Sequence, residues 1–295
     1  MSICSCRGLP WQYAKFGAIN VLTVIIPAHN EAAQIDDCLQ SVLGSQADFA
    51  VQIIVVANGC QDDTAAVAAT YQAAAQQRGW ELQVIDLAQG GKLGALNAGD
   101  RAARYGQRVY LDADVILSPA LLGQIAQALA SESPRYASGT LTIPRPASCV
   151  SRAYRAVYQK VPFMTHGVPG AGLFAMNAAG RGRWGEWPDI ISDDTYARLM
   201  FAPAERILLS APYDWPIVEG WANLVAVRRR QNAGVDEIRR LYPELLQNDD
   251  TPKLGLAGKL GLALAHPIGF AVYAGVALAV RLSRPKGRGD WRRGR

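Results

Sequence analysis

Apolar residues in this chain fall into short unbroken runs, each followed by a polar turn and then a longer stretch with apolar positions three and four apart. The first run, Val21-Leu-Thr-Val-Ile-Ile26, has the pattern of a strand buried on both faces. It ends at Pro27-Ala-His-Asn-Glu31. Asn30 offers a helix N-cap, acids follow at Glu31, Asp36 and Asp37, and Ile35, Leu39, Val42 and Leu43 make the helical stripe. The unit then recurs. Residues 51–56 read as a second strand, residues 57–60 as a turn, and Asp62 or Asp63 as the cap of a helix to about Gln77. Residues 82–87 read as a third strand, followed by the loop Gly90-Gly-Lys-Leu-Gly94 and a helix to about Arg104. Residues 109–111 read as a fourth strand, and Ser118-Pro119 opens the next helix. This alternation predicts a doubly wound, mainly parallel α/β sheet flanked by helices. Right-handed crossovers put the loops after these strands on one edge, so Asn30, Glu31, Asn58, Lys92, Asp112 and Asp114 should converge there.

Beyond about residue 135 the alternation gives way. Residues 137–143 read as another strand, 147–162 as helical, Gly167-Val-Pro-Gly-Ala-Gly172 as a flexible loop and Leu173-Phe-Ala-Met176 as an apolar segment. Trp184 and Trp187 lie in a Gly/Arg-rich stretch and suit either packing or stacking on a sugar. Ser192 or Asp193 is placed to cap a helix reaching about Phe201. The organisation expected is a lead-in over 1–20, an α/β half over 21–135, a second half over 136–250, and an apolar segment with a basic tail over 251–295.

Charge changes the picture only at one end. The net charge is +5, but the stretch from Arg281 to Arg295 carries seven basic residues and one acid, so the rest is nearly neutral. A basic face with interleaved aromatics, the footprint of a nucleic-acid binder, is missing. The five cysteines have neither disulfide nor zinc spacing, and Cys4-x-Cys6 reads as part of a loose terminus. No Gly-x-Gly-x-x-Gly follows the first strand and no Walker loop occurs, which argues against dinucleotide and P-loop chemistry.

The chemistry gathers around Arg108-Val-Tyr-Leu-Asp-Ala-Asp-Val115. A strand ending there delivers two hard carboxylates, suited to Mg²⁺ or Mn²⁺, to the ligand-binding edge. Five segments occur in a telling order: Pro27-Ala-His-Asn-Glu31, Asn58-Gly-Cys-Gln-Asp-Asp-Thr64, Gly91-Lys-Leu-Gly-Ala-Leu-Asn-Ala-Gly99, Leu111-Asp-Ala-Asp114 and Ser192-Asp-Asp194. Together they resemble the family 2 inverting glycosyltransferases of the GT-A fold over roughly residues 20–235. The resemblance implies a nucleotide-diphosphate sugar donor and a hydroxyl acceptor, lipid-linked or a glycan. It makes Asp114 the metal ligand and lets Asp112 reach the ribose or a metal-bound water. Pro27, His29 and Glu31 would line the nucleoside pocket, with Lys92 at the nucleotide or its phosphates. Asp194, with Asp193 next, would be the base. Asn58 stands where many relatives have an acid and would hydrogen-bond the base edge through its amide. The processive Gln-x-x-Arg-Trp motif is absent; the cluster Arg228-Arg-Arg-Gln231 stands nearby, with Arg230 the phosphate-facing candidate. One sugar per encounter is therefore expected. The rivals are a nucleotidyltransferase on a related fold and a catalytically silent membrane-associated scaffold.

Residues 260–280 carry no formal charge, though His266-Pro267 interrupts them. A membrane-spanning helix, a Pro-broken hairpin or interfacial helix, and a helix packed on the catalytic domain all fit this stretch. The basic tail suits the anionic cytoplasmic leaflet. With no apolar signal-peptide core near the start, a cytoplasmic protein at the membrane's inner face is expected.

Overall fold

The computed structural model describes residues 21–283. The expected lead-in, Cys4-x-Cys6 and the basic tail beyond Ser283 lie outside the described residues. The first half is built from β1 (Val21–Ala28), α1 (Ile35–Leu43), β2 (Ala50–Asn58), α2 (Thr64–Ala69), α3 (Gln72–Gln77), β3 (Glu81–Leu87), α4 (Lys92–Ala102), β4 (Arg108–Leu111), β5 (Ile116–Leu117) and α5 (Leu121–Leu129). Then follow β6 (Tyr136–Thr142), α6 (Cys149–Tyr158), α7 (Pro162–Thr165), β7 (Leu173–Met176), α8 (Ala178–Arg181) and α9 (Asp193–Leu199). The chain closes with β8 (Arg206–Asp214), α10 (Trp221–Leu241), α11 (Leu256–Ala265) and α12 (Pro267–Leu282).

One eight-stranded sheet runs in the order β3-β2-β1-β4-β7-β6-β8-β5. The strands from β3 to β4 are parallel, as the alternation predicted. Beyond β4 the sheet is mixed: β7 is antiparallel to β4 and β6, β8 is parallel to β6, and β5 is antiparallel to β8. The unbroken apolar run of β1 is used on both faces. Leu22, Val24 and Ile26 join one core with α1 and α5, while Ile25 joins the other with Leu96 of α4.

Local chemistry moved several boundaries. Asn30 is not a helix cap. It takes a left-handed φ of 51°, which Asn tolerates, and its Oδ1 accepts from the Gln61 N–H at 2.5 Å. The helix starts later, after Gln34. In the second loop Asp62, not Asp63, accepts from the Thr64 N–H. The helix expected to reach Gln77 is broken into α2 and α3, and the helix after Ser118-Pro119 begins only at Leu121. Strand β8 and helix α10 were assigned no element from the sequence. Trp184 and Trp187 are packing residues: they meet edge-on at 5.2 Å, and Trp187 Nε1 donates to Asp100 Oδ2. The same carboxylate accepts from the buried Arg181 guanidinium at 2.8 Å.

No helix among the described residues is long and apolar enough to cross a membrane, so the spanning arrangement falls. Pro267 ends α11 and starts α12, because proline disrupts a helix interior but suits its first position. Helix α12 packs on α6 and α10.

Candidate active site

The ends of β1, β2 and β4 open onto one cleft of about 200 Å³. Its walls include Pro27, His29, Glu31, Asn58, Lys92, Asp112, Asp114 and Arg230, so the residues singled out in the first half come together with Arg230 of α10. Asp193 and Asp194 line an adjoining pocket of about 90 Å³ that shares Pro27, Lys92, Asp112 and Arg230 with the first. Alternation after β4 sets the carboxylates: Leu111, Ala113 and Val115 are buried, while the half-buried Asp112 and Asp114 line the cleft. The Asp112 N–H donates to Gly172 O at 2.8 Å, which ties the acidic turn to the glycine-rich loop.

The first loops hold one another. Asn58 is buried; its amide donates to Ala28 O at 2.7 Å and accepts from the Gly91 N–H at 2.9 Å. Both ends of the amide thus bond to backbone, and the residue ties two loops together at the edge of the cleft. His29 Nδ1 lies 2.6 Å from Asn58 O, and Thr64 Oγ1 accepts from the Glu31 N–H at 2.7 Å. Gly59 has φ +59°, and a Cβ there would come within 2.6 Å of Gly90 N, so only glycine lets these loops touch.

Lys92 begins α4 and bridges the two acidic groups. Its ammonium is 2.8 Å from Asp112 Oδ1 and 3.0 Å from Asp193 Oδ2, the second contact lacking hydrogen-bond alignment. It also lines both pockets, so the ammonium links the carboxylates at the place where the nucleotide contact is expected. Asp194 receives a 2.6 Å bond from the Thr195 N–H. Burial and the neighbouring Asp193 carboxylate push its acid up to about 6, while the Lys92 ammonium and the Thr195 N–H pull the other way. Asp194 is thus the carboxyl in this cleft poised near neutrality.

The far wall was largely missed from sequence. It comprises Tyr154 and Tyr158 of α6, Trp215 after β8, and Leu224, Arg228 and Gln231 of α10. The signals were present but unspecific: tyrosines four apart on a helix, and an arginine within a basic cluster. Gly172, at φ +73°, leaves room for Trp215; a Cβ there would lie 2.5 Å from the indole. At Gly234 α10 passes so close to the start of α9 that a Cβ would lie 2.2 Å from Ser192 Oγ.

The family model for glycosyl transferase family 2 matches residues 23–150. Residues 23–150 therefore match a family 2 glycosyltransferase domain. Comparison with curated proteins gives no significant match. Among solved structures, the glycosyltransferase chain is similar to a mannosyltransferase from Pyrobaculum calidifontis in complex with GDP-Man and Mn²⁺, with TM-score 0.56 and 20% identity over 94% of this chain and 80% of that one. It is also similar to mannosyl-3-phosphoglycerate synthase from Rubrobacter xylanophilus, with TM-score 0.51 and 17% identity over 81% of this chain and 79% of that one. TarS 1–349 from S. aureus in complex with UDP-GlcNAc gives TM-score 0.50 and 14% identity, covering 88% of this chain and 91% of that one. These likenesses establish the GT-A-type fold, including the mixed half of the sheet.

The donor set bears on metal chemistry. No group of three or more His, Cys, Asp or Glu side chains with metal-site geometry occurs among the described residues. Asp112 and Asp114 alone fit a hard cation that takes its remaining ligands from phosphate and water, as Mg²⁺ and Mn²⁺ commonly do.

Proposed function

We propose that this enzyme moves a sugar from a nucleotide-diphosphate sugar to a hydroxyl acceptor, with inversion, adding one sugar per encounter. The observation that carries this reading is the placement of two acidic pairs around one cleft, with Lys92 between Asp112 and Asp193. Nucleotide sugars in the complexes of similar structures support the donor class. Pro27, His29 and Glu31 line the nucleoside end, and Arg230 lies where it can meet phosphate.

Asp114, with Asp112, would hold a Mg²⁺ or Mn²⁺ ion, which supplies charge neutralisation for the departing diphosphate. The chain's own residues do the rest. Asp194, ionised at neutral pH, takes the proton of the acceptor hydroxyl. The hydroxyl oxygen forms a bond to the anomeric carbon on the face opposite the diphosphate. The bond to the diphosphate oxygen breaks, and the electron pair leaves with the nucleoside diphosphate. Asp193, buried beside Lys92, holds the lysine and keeps the acceptor side of the cleft acidic.

The reading includes a membrane surface, at the cytoplasmic face. Among the described residues, six of the nine exposed large apolar side chains lie on α11 and α12: Leu256, Leu260, Leu264, Ile268, Leu278 and Leu282. Leu256, Leu260 and Leu264 are four apart and form one stripe. Such a stripe beside a basic tail suits the interface of an anionic bilayer. Flotation with vesicles of phosphatidylcholine and phosphatidylglycerol should carry the full chain, while the variant with all three leucines changed to Gln should stay behind.

The test of the donor reading is a thermal-shift panel of nucleoside diphosphates with Mn²⁺, followed by donor hydrolysis. One base should stabilise the chain, and Asp114→Ala should abolish both the metal-dependent shift and hydrolysis. Release of pyrophosphate instead of nucleoside diphosphate would make it a nucleotidyltransferase. No shift with any base and no hydrolysis would leave a silent scaffold.

A further inference from the structure

Arg228 differs from the arginines that carboxylates hold inside this fold. Arg181 pairs with Asp100, Arg183 with Glu205, and Arg198 and Arg206 with Asp250. Arg228 has tyrosines instead. Its guanidinium carbon lies 5.8 Å from the ring centre of Tyr158 and 5.9 Å from that of Tyr273. Its electrostatic neighbours are the hydroxyls of Tyr154, Tyr158 and Tyr273, and among the described residues no ion pair joins it to a carboxylate. Aromatic faces attract a cation but do not replace a counter-ion for one drawn partly out of water. The missing anion has a place to come from, because Arg228 lines the cleft.

Its position along α10 indicates what that anion belongs to. Leu224, Val227, Arg228 and Gln231 follow helical spacing and all line the cleft, so they share a face. Gly234, further along, touches Ser192 at the start of the helix bearing Asp193 and Asp194. Arg228 is six residues before Gly234, or ~9 Å along the axis at ~1.5 Å per residue. Arg228 lines the larger cleft but not the adjoining pocket that holds Asp194, which leaves that offset between the anion and the reacting hydroxyl. The offset is about what one hexose unit plus a hydrogen bond spans.

We propose that Arg228 binds a phosphate or pyrophosphate carried by the acceptor about one sugar unit away from the hydroxyl that is glycosylated. This rests on the glycosyltransferase reading with Asp194 as base. The planar guanidinium can take two phosphate oxygens at once. Trp215, Ile217 and Val218 give the same arm an apolar wall for the sugar face or the first carbons of an aglycone. Two sources share this chemistry: a free sugar phosphate and a sugar linked through pyrophosphate to a lipid.

The test is calorimetric titration of the full chain, with Mn²⁺ and the best-binding nucleoside diphosphate present in excess so that the donor phosphates' place is filled. The probes are the α-1-phosphates of glucose, mannose and N-acetylglucosamine, their neutral methyl glycosides, and the decyl diphosphate esters of the same sugars. At least one phosphate probe should bind tenfold or more tightly than its neutral partner. Arg228→Gln should remove that preference without weakening the methyl glycoside, and Arg228→Lys should restore part of it; a cooperative melt shows that each variant is folded. A decyl ester that binds tenfold more tightly than the free phosphate identifies the lipid source, and equal affinity the free one. Silence of every phosphate probe, or a preference that survives in Arg228→Gln, overturns the proposal. Asp194→Asn leaves these titrations readable, so failure of the assigned base is seen separately, as transfer that persists without it.

Discussion

On the wall formed by the ends of β1, β2 and β4, polar groups are bonded to one another across loops: Asn58 to Ala28 and Gly91, the Glu31 N–H to Thr64, and Asn30 to Gln61. The opposite wall, from α6, α10 and the turn after β8, sets rings and aliphatic side chains around the Arg228 guanidinium, which pairs with no acid among the described residues, with Arg230 and Gln231 beside it. A site that binds one kind of donor benefits from loops already fixed in place, since ordering them on binding costs affinity. The second wall lies on helices whose spacing can change from one acceptor to another while leaving the first untouched. Under the proposed function, donor recognition falls to backbone geometry and acceptor choice to side chains.

The sharpest break in that division is at the base. Asp194→Asn should lower turnover by roughly 10²–10⁴-fold while leaving the nucleoside diphosphate thermal shift in place. In the parent enzyme kcat/KM should rise with pH through about 6. The stability effect has the opposite sense. A carboxyl whose pKa is raised in the folded state favours the fold when protonated, and that contribution is lost as pH climbs from the ordinary carboxylate range through about 6. The Asn variant should therefore melt higher than the parent at pH 8, by about 1–2 kcal/mol, and no difference at that pH would contradict the burial of an ionised group.

Lys92→Met tests the bridge between the walls. Losing the ammonium leaves Asp112 and Asp193 facing one another uncompensated and removes a charge that holds Asp194 down. Turnover at pH 7 should fall at least roughly tenfold, and the ascending limb of the pH profile should move toward higher pH. An unmoved limb would show that the lysine does not act on the base.

A smaller effect is expected of Asn58→Asp. The carboxylate could still accept from Gly91 but would set an oxygen against Ala28 O, at a cost of about 1–3 kcal/mol. Nucleotide affinity should weaken while the hexose-phosphate preference stays. The smallest is expected of Gly172→Ala, whose φ of +73° and contact with Trp215 cost about 1–3 kcal/mol, read as a drop of several degrees in melting temperature with nucleotide binding intact.

The first wall was legible in the sequence because strand ends announce themselves: unbroken apolar runs stop at Pro27, Asn58 and Asp112, and crossover handedness puts those stops on one edge. Misreadings there were local. In isolation the Asn30 side chain reads as a helix cap, whereas it bonds to a neighbouring loop remote in sequence, as the Asn58 amide also does. The second wall was mostly hidden. Strand β8 alternates with exposed residues at a sheet position next to β6 that no local pattern foretells. Helix α10 is so rich in charge that its apolar face, Leu224 and Val227 beside Arg228, is narrow. In the apolar C-terminal stretch, hydropathy alone left three arrangements open, and the break at Pro267 removed the spanning one.

The contact at Gly234 has a further reach. Helix α10 is 21 residues long, a rod of ~30 Å, and it rests on Ser192 through a residue with no side chain. A single methyl there would act as a wedge near one end of a lever, swinging Gln231, Arg228 and Leu224 together. Gly234→Ala would then retune which acceptors fit without altering a single group that touches them.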